Sequence, residues 1–137
     1  MRMNRKIIGV ASIIAIVAIV MSVTSDSALD ESIISQTIFV DAVYEPKNKI
    51  VRITYNDNSE MTNLITLEIL GMEKTFHKEF LQSSFIETVK INSKPKYGWS
   101  TIPIVFSINH DEFGKIGLKT EIYEQGKSKP RIIYSKI

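Results

Sequence analysis

The chain has 137 residues, with 17 Lys and Arg against 15 Asp and Glu, a net charge of +2, and no cysteine. Disulfides and thiol chemistry are therefore excluded, and the charge is too mild to predict nucleic-acid binding, which usually comes with a strongly basic face. Setting aside an apolar N-terminal segment leaves about 105 residues, enough for one hydrophobic core and not for two.

The first six residues carry Arg2, Arg5 and Lys6, a basic head. Residues 7–23 then read IIGVASIIAIVAIVMSV, without a charge and with Ser12 and Ser22 as the only polar side chains. As a helix this run spans roughly 25 Å, slightly short of a hydrocarbon core of about 30 Å, and it closes its own backbone hydrogen bonds as hydrocarbon requires. It shows no polar stripe, which a surface helix of a soluble domain would have. Asp26, Asp30 and Glu31 follow it. The positive-inside rule places the head in the cytoplasm and everything after the run outside.

A cleaved signal peptide would end near Ser25, leaving a secreted protein. The apolar run is longer than the usual signal-peptide core of about 7–15 residues, and no A-x-A site follows. The adopted reading is a retained signal anchor in the cell membrane. A pilin-like, filament-forming protein is the alternative, although the processing motif expected before the apolar run is absent.

Residues 24–35 are read as a short tether, with Ser27 and Asp30 as potential caps of a helical turn. From Thr37 the pattern has period two. Ile38, Val40, Ala42 and Tyr44 make one inward row; Val51, Ile53 and Tyr55 the next; Ile65, Leu67 and Ile69 the third. Phe76 and Phe80 share a face, and Phe85, Val89 and Ile91 form a row interrupted by Glu87. Ile102, Ile104, Phe106 and Ile108 make the cleanest row, with Pro103 on its outer side suggesting an edge or bulge near the strand start. Ile116, Leu118, Thr120 and Ile122 return, and Ile132 with Tyr134 closes the chain. Turn residues separate these runs at Glu45–Asn48, Asn56–Ser59, Gly71, Asn92–Gly98, Asn109–Gly114 and Gly126.

The fold class expected over 36–137 is all-β: an antiparallel sandwich of about 7–8 strands, each with one buried and one wet face, preceded by one transmembrane helix. Strand number and domain length resemble an immunoglobulin or fibronectin type III-like domain. The Cys…Trp…Cys signature of immunoglobulin domains is absent, and the single Trp99 stands before a late strand. Tyr97 is a candidate corner tyrosine. The resemblance implies a fold and no function.

Chemistry-bearing groups are few. His110, Asp111 and Glu112 put an imidazole and two carboxylates in one turn, a candidate metal site that needs a further ligand brought near. The alternative is a solvated polar turn. A blue-copper site lacks its cysteine. No G-x-S-x-G, no phosphate loop and no triad context appears, so no catalytic residue and no cofactor are assigned and the protein is not expected to be an enzyme. No N-glycosylation sequon occurs. Lys127, Lys129, Arg131 and Lys136 gather near the C-terminus, where they meet anionic groups or protect an edge strand. Tyr97, Trp99 and Pro103 are a candidate aromatic contact patch, or else they cover the end of the core. The functional expectation is a membrane-anchored, extracytoplasmic binding or accessory subunit for another membrane or envelope protein. The bilayer is its second partner, and nucleic acid is not one.

Overall fold

The computed structural model describes residues 29–137. The basic head, the apolar run and the start of the expected tether lie outside the described residues. Among the described residues no helix is long and apolar enough to cross a membrane.

The chain comes in through a short helix, α1 (Glu31–Thr37). Asp30 caps it, its carboxylate accepting from the Ile33 N–H at 3.2 Å, and Glu31 sits favourably in the first turn. Ile34 is 1 % exposed and belongs to the core. The stretch expected to be tether up to residue 35 is thus helical from Glu31 and part of the folded domain. Fewer than two helical turns are too short to develop a periodic apolar pattern, so only the cap was legible.

Nine strands follow: β1 (Ile38–Glu45), β2 (Ile50–Asp57), β3 (Thr62–Ile69), β4 (Phe76–Phe80), β5 (Ser84–Lys90), β6 (Pro103–His110), β7 (Gly114–Glu121), β8 (Tyr123–Glu124) and β9 (Ile133–Lys136). They form a four-stranded sheet in the order β5-β2-β1-β8 and a five-stranded sheet in the order β4-β3-β6-β7-β9. The inward rows meet in one apolar cluster, with Val40, Val51, Ile53, Tyr55, Ile65, Leu67, Ile69, Ile104 and Phe106 fully buried. This two-layer arrangement is compatible with a β-sandwich, and its stability rests on side chains whose burial is worth about 1.5–3 kcal/mol each. Tyr55 from one sheet meets Phe106 from the other, ring centroids 6.1 Å apart.

Two details differ from the expectation. β6 lies between β3 and β7 and is not an edge; Pro103 is tolerated because it is the first residue of the strand. β8 pairs with β1 in parallel, Val43 opposite Tyr123, because the chain crosses between sheets at Ile122. Burial pushes the Tyr123 phenol up to about 12, helped by its hydrogen bond to Asp41, which ties β8 to β1. Lys129, one of the lysines read as protecting an edge strand, donates its ammonium to the Val40 carbonyl at 2.8 Å and lies 4.3 Å from the Phe39 ring centroid, covering the edge of β1 beyond β8 and not that of the terminal strand.

The strand register gives the domain two ends. The near end holds α1 and the turns at 58–61, 81–83 and 111–113. The far end holds the turn at 46–49 and the loops at 70–75 and 91–102. Ile38 pairs with Asp57 at one end of β1, and Glu45 with Ile50 at the other; Ile50 in turn faces Lys90.

Candidate functional site

At the near end, β2 and β6 each run one step past their apolar rows. Asp57 continues Val51, Ile53 and Tyr55, and His110 continues Ile104, Phe106 and Ile108. Both are 2 % exposed. His110 Nε2 and Asp57 Oδ2 are 3.0 Å apart. The His110 Nδ1 accepts from the backbone N–H groups of Glu112 and Phe113 at 3.1 and 3.2 Å, so the hydrogen resides on Nε2 and is donated to Asp57. The Asp57 carboxylate also accepts from Ser59 N–H and Oγ–H at 2.9 and 2.6 Å, from Met61 N–H at 3.1 Å and from Thr62 Oγ–H at 2.7 Å. Thr62 spends its hydrogen there, so the 2.8 Å contact with Tyr55 is a donation from the tyrosine.

Burial alone would push the Asp57 carboxyl up. The hydrogen bonds from Ser59 and Thr62, with the imidazole alongside, outweigh it and hold the group below the ordinary carboxylate value. Burial pushes the Tyr55 phenol upward. Among the described residues, no buried side-chain nitrogen or oxygen lacks a hydrogen-bond partner.

This network contains a serine, a histidine and an aspartate, but not in the order of a nucleophilic triad. Ser59 Oγ lies 3.2 Å from the same Nε2 that meets Asp57. A relay needs the acid and the nucleophile on opposite ring nitrogens. The arrangement is a polar brace between the sheets.

It also decides where the expected metal ligands stand. Both nitrogens of His110 are engaged by the protein itself, and its ring stacks on Phe113 at 4.5 Å between centroids. Asp111 is exposed and accepts from the Asn63 amide at 2.6 Å, and Glu112 is exposed. Among the described residues no three His, Cys, Asp or Glu side chains converge as a metal site.

The expected aromatic patch lies at the far end and is divided. Trp99, in a short 3₁₀ turn, is half-buried against Tyr44, centroids 4.9 Å apart, and shares a hydrogen bond with Glu124. Trp99 therefore closes the core. Tyr97 is 78 % exposed and projects from its loop instead of bracing a strand corner. Pro103 is half-buried, its carbonyl accepting from the Leu70 N–H at 3.0 Å.

Sequence reasoning did not find the concavity beside this patch. Loops 70–75 and 91–102 enclose an open cleft of about 910 Å³. Gly71 holds the loops together: its φ is +81°, and a Cβ there would stand 2.0 Å from the Thr101 carbonyl oxygen. Lys74, Lys90, Lys94 and Lys96 line the cleft. Lys94 pairs with Glu124 at 2.7 Å and, as the principal cause, lowers that carboxyl below its usual range. The lysines are spaced irregularly over three segments, so no sequence motif announces them.

Comparison with known proteins finds no matching family model, no similar curated protein and no similar solved structure.

Proposed function

We propose that this protein is a single-pass, membrane-anchored β-sandwich displayed outside the cytoplasm, serving as a binding or accessory subunit of another membrane or envelope protein. The observation that carries the reading is the uninterrupted apolar run of residues 7–23 ahead of a domain with its own core. The polarity of the domain supports it. The polypeptide comes in at the near end, and the loops at 70–75 and 91–102, with exposed Tyr97, lie at the far end, where an anchored domain would present a binding face.

The fold also fits a display module of immunoglobulin or fibronectin type III-like kind. β1, β2 and β5 share one sheet while β3, β6 and β7 share the other, the partition of strands A, B and E from C, F and G in immunoglobulin domains. β4 pairs with β3 instead of β5, and β8 and β9 are additions.

Extraction in a mild non-ionic detergent, followed by identification of co-migrating proteins, tests the function. A stoichiometric membrane or envelope partner is expected; migration alone would remove the subunit reading. A reporter fused after Ile137 that is active only in the cytoplasm would remove the topology.

A further inference from the structure

The far-end cleft has the composition of a peptide-binding surface. Its rim carries Lys74, Lys90, Lys94 and Lys96, against one acidic lining residue among those described, Glu73. Its floor is apolar: Ile91 and Ile102 are core residues 8 and 9 % exposed, and Met72 is partly buried against the same core. Among the described residues the ion pair of Lys94 with Glu124 is the only one at the cleft.

At the opposite end exposed acidic groups outnumber the exposed Lys115 and Lys136. Asp30, Glu31, Glu60, Asp111 and Glu112 are all exposed around α1 and the near-end turns. An acidic ligand approaching the domain is therefore repelled from the end where the chain comes in and drawn to the far cleft.

We infer that this cleft receives an extended acidic segment of a partner protein, one in which carboxylates alternate with apolar side chains. The carboxylates meet the lysine rim and the apolar groups cover Met72 and the exposed margins of Ile91 and Ile102. The apolar floor is what favours such a peptide over a phosphate polymer, which has no use for it. Among the described residues no arginine, whose planar fork recognises phosphate by shape, lines the cleft. This inference rests on the binding-subunit reading and names the surface that does the binding.

The test uses the full chain in non-ionic detergent and a fluorescein-labelled peptide of about ten residues alternating glutamate with leucine. Fluorescence anisotropy should report saturable binding that weakens as salt is raised. The affinity should fall roughly tenfold or more in Lys74→Glu/Lys90→Glu, fall also in Lys96→Glu, and stay unchanged in Lys115→Glu, which lies at the near end. No binding, equal binding of a lysine–leucine peptide, or equal affinity in the cleft variants would overturn the inference. Binding of polyphosphate but not of the peptide would overturn the peptide assignment. Self-association of the unliganded protein that disappears in Lys74→Glu/Lys90→Glu would replace the foreign partner with a second copy. Should a partner co-extract equally with wild type and with Lys74→Glu/Lys90→Glu, the cleft assignment falls and the accessory function stands. Peptide binding without any co-extracting partner reverses that outcome.

Discussion

Asp57 and His110 meet at 3.0 Å with both side chains sealed from solvent, and they belong to different sheets. The pair joins β2 to β6 at the end of the core where the chain comes in. A buried pair of this kind adds little net stability against an apolar replacement of the same shape, but losing one member is costly.

Asp57→Ala should therefore destabilise the domain by about 3 kcal/mol, because it strands the His110 Nε2–H together with donors from Ser59, Met61 and Thr62. Urea unfolding of wild type and variant measures it. A loss below about 1 kcal/mol would mean that water replaces the carboxylate and that the brace is not a closed unit.

Acid should unfold the domain partly through the same group. The folded Asp57 carboxyl lies below its unfolded value, so its contribution is present above the unfolded carboxylate pKa of about 3.9 and is lost as pH falls through the lower folded value. Stability measured from neutral pH down through about pH 2 should fall more steeply below about pH 4 in wild type than in Asp57→Asn. Parallel curves would show that other carboxylates dominate.

Gly71 and Gly126 make a matched comparison. Both have positive φ, +81° and +86°, but an added Cβ at Gly126 meets nothing within 4 Å, whereas at Gly71 it runs into the Thr101 carbonyl. Gly126→Ala should cost about 1 kcal/mol for backbone strain alone. Gly71→Ala should cost about 3 kcal/mol or more and weaken peptide binding, since the two loops enclosing the cleft must part. Equal thermal stability of the two variants would show that the loops move apart freely.

Zinc added at one equivalent should not bind at the near end, since both ring nitrogens of His110 are already engaged. His110→Ala should lower stability without changing metal content. Stoichiometric zinc in wild type that disappears in His110→Ala, measured by metal analysis after dialysis, would contradict the brace.

Much of this molecule is legible in period two. The inward rows of β1, β2, β3, β6 and β7 follow directly from alternation, because a strand facing one core must place every second side chain inside. The same count extends to Asp57 and His110, which fall on inward positions beyond Tyr55 and Ile108. Reading 56–59 and 109–114 by composition as polar turns hid that parity. Alternation specifies a face and says nothing of a neighbour. That β6 lies inside its sheet, that β8 crosses to join β1, and that Lys74, Lys90, Lys94 and Lys96 surround one cleft were decided by the packing of the two sheets. Contacts between residues far apart in the chain depend on how all the inward faces fill one volume together, and no local stretch carries that information.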